Sequence, residues 1–108
     1  MRVFEDVGAT FFDIETDLLI VLDENGDIER VNPAFTRVLG YSESEVLRVQ
    51  LLRLIPSNDW SAFLNAFTAP QPKAFRVMCK EQGEVTVRLV AVRFRAMRGF
   101  IVLRRVIA

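Results

Sequence analysis

Leu18 to Leu22 is an unbroken apolar run of strand length, and Asp27 to Val31 resumes with Ile28 and Val31 apolar. Asn25-Gly26 lies between them and suits a two-residue type I′ hairpin turn, because both residues tolerate positive φ. At Asn32 the period changes. Asn32 is a good helix N-cap, Pro33 fits the first helical position, and Phe35, Val38 and Leu39 share one helical face before Gly40. Ser42-x-x-Glu45 reads as a capping box that opens a second short helix. Leu51 to Ile55 is a short apolar segment stopped by Pro56, and Ser57 or Asn58 is placed to cap a third helix. In that helix Trp60, Phe63, Leu64 and Phe67 form an apolar stripe. Ala69-Pro70-Gln71-Pro72 ends it.

The remainder alternates with the period of strands. Lys73 to Lys80 puts Phe75, Val77 and Cys79 on one face; Val85 to Phe94 and Phe100 to Ile107 follow, separated by turns at Glu81–Glu84 and Arg95–Gly99. The last two strands are apolar on both faces, whereas a sheet with one wet face should alternate. The middle helices cover one face. The other requires a second cover, and residues 2–14 offer one: Val3, Phe4, Val7, Phe11 and Ile14 share a helical face, away from Glu5, Asp6 and Asp13.

The order strand, Asp23, Asn25-Gly26, strand, Asn32-Pro33, helix, Gly40-Tyr41 resembles the opening of a PAS domain, the sensory and dimerisation module of bacterial signalling proteins. Ser42 to Glu45 is similar to the family's S-x-x-E after Gly-Tyr, and Asn58-Asp59 sits where the family often has an Asp pair before its long helix. The resemblance covers roughly residues 10–108. It implies an α+β fold: a five-stranded antiparallel sheet with short helices on one face and the N-terminal amphipathic helix on the other. The domain division expected is residues 1–14 for that helix, a cap or dimer element, and 15–108 for the PAS-like domain.

Composition narrows the chemistry. At 108 residues, half of them apolar, the chain is expected to form one globular domain. Its 14 bases balance its 14 acids, yet residues 1–59 hold 12 acids against 5 bases and residues 60–108 hold 2 against 9. Pairing between an acidic hairpin and basic strands is the expected explanation; a basic surface for an anionic partner is the rival. The chain has no histidine, which removes the common Ser-His and Cys-His nucleophile pairs and the proximal ligand of haem-binding PAS sensors. One cysteine without histidine makes no ordinary zinc site, and no metal is expected. Light-oxygen-voltage domains carry Asn-Cys-Arg-Phe where this chain has Val49-Gln50-Leu51-Leu52, so neither haem nor flavin is expected as a cofactor. Cys79 and Trp60 read first as core. No glycine-rich phosphate loop, membrane-length apolar run or signal peptide is visible, and a lone Cys fits a reducing, cytoplasmic setting.

The resemblance implies a non-catalytic sensory module of a sensor kinase or cyclase that binds a small apolar ligand or mediates dimerisation; the alternative is a ligand-free protein–protein interaction module. The inward pocket candidates are Phe35, Val38, Ile55, Phe63, Leu64, Phe67, Phe75, Val77, Cys79, Leu89 and Ala91, each of which also suits plain core. Val3, Phe4, Val7 and Phe11 are the expected dimer interface. The partners expected are a second copy and an output domain of a larger protein, with no membrane. Nucleic acid is not expected: Arg88, Arg93, Arg95 and Arg98 are basic, but only Phe94 and Phe100 could stack bases beside them. The chain ends Arg104-Arg105-Val106-Ile107-Ala108, without the Asp-Ile-Thr-like motif through which the family often couples to an output helix.

Overall fold

A computed structural model describes residues 15–95 and 98–106. Five antiparallel strands form one sheet in the order β2-β1-β5-β4-β3: β1 Leu18–Asp23, β2 Ile28–Val31, β3 Phe75–Met78, β4 Glu84–Arg95 and β5 Arg98–Arg105. The helix expected between Asn32 and Gly40 is α1 Pro33–Leu39, the short helix expected after Ser42 is α2 Glu43–Val46, and α3 is Trp60–Asn65. The segments Leu51–Leu54 and Ser57–Asp59 are 3₁₀ turns. Because β1 and β5 are neighbours at the sheet centre, the chain's first and last strands are joined, and the helices lie between them in sequence.

The start of the fold follows its local signals. Asn32 caps α1 and accepts from the Phe35 N–H, Pro33 holds the first turn, and Gly40 ends the helix at φ +90°. The Ser42–Glu45 capping box is complete in both directions. Asn32 does more than cap. Its Oδ1 also accepts from the Leu19 N–H at 3.0 Å, and its Nδ2 donates to the Asp17 carbonyl at 2.9 Å. One side chain therefore ties the start of β1 to the start of α1.

Three local expectations are corrected. Asn25 does not adopt positive φ; Gly26 does, at +83°. The Asp23 carbonyl accepts from the Gly26 N–H, and the Asp23 N–H donates to the Asp27 carbonyl, so the loop is Glu24-Asn25-Gly26 with a left-handed glycine at its end. Asp23 Oδ1 enforces this by accepting from the N–H groups of Asn25 and Asp27. Neither Ser57 nor Asn58 caps α3, and Asp59 makes no capping bond because its carboxylate is committed to Arg76. The stripe is only partly helical and partly buried: α3 ends at Asn65, Phe63 is in the core, Phe67 is half-buried in the turn beyond the helix, and Trp60 and Leu64 are exposed. The Trp60 Nε1–H still finds the Leu52 and Ile55 carbonyls.

The main core lies between the helices and the inner sheet face, around Leu18, Ile20, Phe35, Phe75, Val77 and Ile101. A second apolar cluster occupies the other face: Leu19, Val21, Phe100 and Val102 are buried there, with Val90 and Ala91 packed against them. The two-sided apolarity of the closing strands is thus a property of the sheet. The expectation that Ala91 faces inward is corrected. The β4–β5 register shifts between Leu89 and Ala91, so the residue pairing Leu103 is Leu89 while the residue pairing Val102 is Ala91. The bulge inverts the parity of the strand beyond it.

Both sheet edges are occupied. At β2, the Ile28 N–H donates to the Val49 carbonyl and the Ile28 carbonyl accepts from the Arg48 N–H. At β3, the Arg76 N–H donates to Asp59 Oδ2 at 2.8 Å. These contacts remove templates for strand addition. The charge asymmetry also resolves: Asp17–Arg104, Glu29–Arg98, Glu45–Lys80 and Asp59–Arg76 each join an acid of the first half to a base of the second.

Candidate functional site

Most of the expected pocket residues form the core. Phe35, Ile55, Phe75, Val77 and Leu89 are buried, and Val38 and Cys79 are half-buried against them. Phe63, Leu64 and Phe67 do something different. They line a half-open groove of about 320 Å³ at the end of the domain where the β1–β2 loop meets α3. Leu22, Leu51, Leu52 and Phe94 complete its apolar lining, and Asp23, Glu24, Asn25 and Gln50 form the polar part.

The sheet supplies Phe94 to this groove because the inverted parity of β4 puts Phe94 on the helix side. Gly99 faces it in the register. A Cβ built on Gly99 would lie 1.9 Å from a carbon of the Phe94 ring, so the ring occupies the space that the missing side chain leaves. Phe94 then meets Phe67 at a centroid distance of 6.2 Å, and Phe67 meets Phe63 edge-on at 5.2 Å. Leu64 on the helix and Phe94 on the sheet remain 54% and 53% exposed. Large apolar side chains facing water around one depression make this groove the candidate site.

The four residues from β1, the 3₁₀ turn and β4 were not among the sequence-predicted pocket residues. Leu22 and Phe94 are brought together only because β5 lies between β1 and β4, which the local pattern does not disclose. The predicted interface residues Val3, Phe4, Val7 and Phe11 lie outside the described residues.

The ionisable groups elsewhere serve the frame. Arg76 grips Asp59 through Nε and Nη2, both at 2.9 Å, and holds its carboxyl below the usual range; the guanidinium is shifted upward in turn. Glu45 is lowered to about 2, first by its hydrogen bond with Lys80 and next by the Ser42 backbone N–H. Burial raises the Tyr41 hydroxyl, which donates to the Met78 carbonyl at 2.9 Å. Among the described residues no group of three or more His, Cys, Asp or Glu is arranged to hold a metal ion. No described helix is long and apolar enough to cross a membrane.

The fold and family are shown by comparison with known proteins. A comparison with curated protein sequences finds no match. Solved structures do match. The PAS domain of an HTR-like protein from Haloarcula marismortui is 26% identical, covers 83% of this chain and 86% of its own, and has a TM-score of 0.61. A domain of a sensory box sensor histidine kinase/response regulator from Geobacter sulfurreducens is 17% identical over 95% of this chain and 91% of its own, with a TM-score of 0.66. The PAS domain of the Cronobacter turicensis RpfR quorum-sensing receptor, solved in complex with BDSF, is 16% identical over 85% of this chain and 95% of its own, with a TM-score of 0.67. The family model described as "PAS fold" matches residues 9–105, nearly the whole length, and the chain belongs to the PAS family.

Proposed function

We propose that this PAS module is a non-catalytic sensor unit that holds a small, largely apolar ligand in the groove between the β1–β2 loop and α3, and biases an attached output domain of a larger signalling protein. One observation carries the reading: Leu64 and Phe94, from helix and sheet, are each more than half exposed on the same groove of about 320 Å³. That size lies at the lower end of small-molecule sites. A ligand there bridges the first hairpin, α3 and the end of β4. It shifts an output only by its different affinity for two arrangements of these elements. Native mass spectrometry of the protein purified from its own host tests this. A small-molecule adduct lost on denaturation is expected, and it should be displaced in Leu64→Trp, which fills the groove. A bare mass before and after incubation with small apolar compounds would overturn the reading.

A second role rests on the outer sheet face. Its cluster of Leu19, Val21, Phe100 and Val102 is ringed by Arg88, Arg93 and Arg104 on the neighbouring strands, and residues 1–14 carry an apolar stripe with three acids against one base. We propose that Val3, Phe4, Val7 and Phe11 cover this face, in their own subunit or in a twofold mate, and that the module is a homodimer. Each such burial stabilises by roughly 1.5–3 kcal/mol as an upper estimate. Sedimentation should give a dimer for the full chain and a monomer or an aggregate for the Phe4→Asp/Phe11→Asp variant. A monomer in both cases, with unaltered solubility, would contradict the assignment.

A further inference from the structure

We infer that the groove selects a small hydrophobic cation, an arylalkyl- or alkylammonium, over the alcohol or carboxylate of the same shape. This deepens the reading of the groove as the ligand site and rests on it. The apolar slot is bordered by charge of one sign. Among the described residues, Asp23 and Glu24 are the only ionisable residues that line the groove, and no lysine or arginine does. Asp23 Oδ1 is fixed by the Asn25 and Asp27 N–H groups at 2.8 and 3.0 Å, so this carboxylate does not swing away. Glu24 is exposed and makes no ion pair among the described residues. Arg98, which faces Asp23 in the β1–β5 register, is committed to Glu29 through Nη2 at 3.0 Å and Nε at 3.2 Å.

The apolar lining favours the same charge. Phe67 and Phe94 stand at the groove, and an aromatic ring attracts a cation placed over its face within about 6 Å. A ligand whose hydrocarbon body lies along Phe63, Leu64 and Phe67 meets acidic residues at the loop end. An ammonium there is attracted by both carboxylates. A carboxylate in the same place meets two like charges, with no lysine or arginine among the described lining residues to offset them.

The test compares three probes of one shape by isothermal titration: 4-phenylbutylammonium, 4-phenylbutan-1-ol and 4-phenylbutanoate. The ammonium is expected to bind on the order of tenfold tighter than the carboxylate at low salt, with the alcohol between them. The preference should shrink as salt is raised. Glu24→Gln, on an exposed loop, and Asp23→Asn, which keeps an acceptor oxygen, should each reduce the ammonium-to-carboxylate ratio. Phe94→Ala should weaken the ammonium and the alcohol together. If the alcohol binds but the carboxylate equals or exceeds the ammonium, the inference is overturned and the apolar groove stands. If none of the three binds, the groove reading itself fails and the inference falls with it.

Discussion

Replacing Asn32 by Ala removes three hydrogen bonds from a side chain that is only 7% exposed. The cap on Phe35 N–H is worth about 1 kcal/mol by itself. The Leu19 N–H and the Asp17 carbonyl are then left in the interior without their partner, and an unpaired buried group costs about 1–3 kcal/mol. Leu19 is 2% exposed, so water does not replace the lost acceptor without opening the start of β1. The expected total is about 2–4 kcal/mol, less than the simple sum because the strand end relaxes. For a domain of this size that corresponds to a melting midpoint lower by about 10–25 °C. Urea unfolding with an unchanged m-value is the direct assay. Asn32→Asp is the control: its carboxylate still accepts from both amides but no longer donates to Asp17, so its loss should fall between wild type and alanine. A loss below about 1 kcal/mol for Asn32→Ala would show that the side chain is only a helix cap, and the clamp between β1 and α1 would be refuted.

Gly26→Val should destabilise by about 1–3 kcal/mol through backbone strain alone, because Gly26 sits at φ +83° with open space around a Cβ; an unchanged urea midpoint would refute the left-handed loop. Glu45 should titrate at about 2 instead of the ordinary 4.5 in carboxyl NMR, and Lys80→Met should move it upward; a midpoint still near 2 would remove Lys80 as the chief cause. The folded value is depressed, so the stabilisation from this group is present above about pH 4.5 and is lost as pH falls toward 2. Gly99→Ala should displace the exposed Phe94 ring from the groove, weakening 4-phenylbutan-1-ol binding with a stability loss of about 1 kcal/mol or less, since the ring can swing into solvent. Unchanged affinity in that variant would mean that Phe94 is not a wall of the site.

The fold was legible wherever its cause is local. Asn32, Pro33 and Gly40 bound α1, and Ser42 and Glu45 open α2, because caps act over three or four residues and leave a pattern of that length. The first loop was misread by one residue because the Asp23 side chain bonds two amides of the loop and so selects a longer turn than Asn-Gly alone favours. Ala91 was assigned to the wrong face because Leu89 to Val92 is apolar throughout, and an unbroken apolar run hides a bulge. The uneven charge halves are matched among the described residues by acid–base pairs between them, but their geometry was not visible in the sequence. Of the groove lining, Phe63, Leu64 and Phe67 carry a helical spacing that is visible in the sequence. Leu22 and Phe94 carry no such signal, since their nearness depends on β5 entering the sheet between β1 and β4. The outer cluster was foreseen from the double-faced strands, and what covers it is the part that the sequence pattern argues from residues 1–14 alone.

The most direct test of the account is amide NMR mapping of the full chain during titration with 4-phenylbutan-1-ol. The groove reading predicts saturable shifts concentrated at Gly26, Leu52, Phe67 and Phe94, with Leu19 and Val102 on the other sheet face unmoved. Shifts confined to Leu19, Val21 and Val102, or no saturable shifts anywhere, would contradict it.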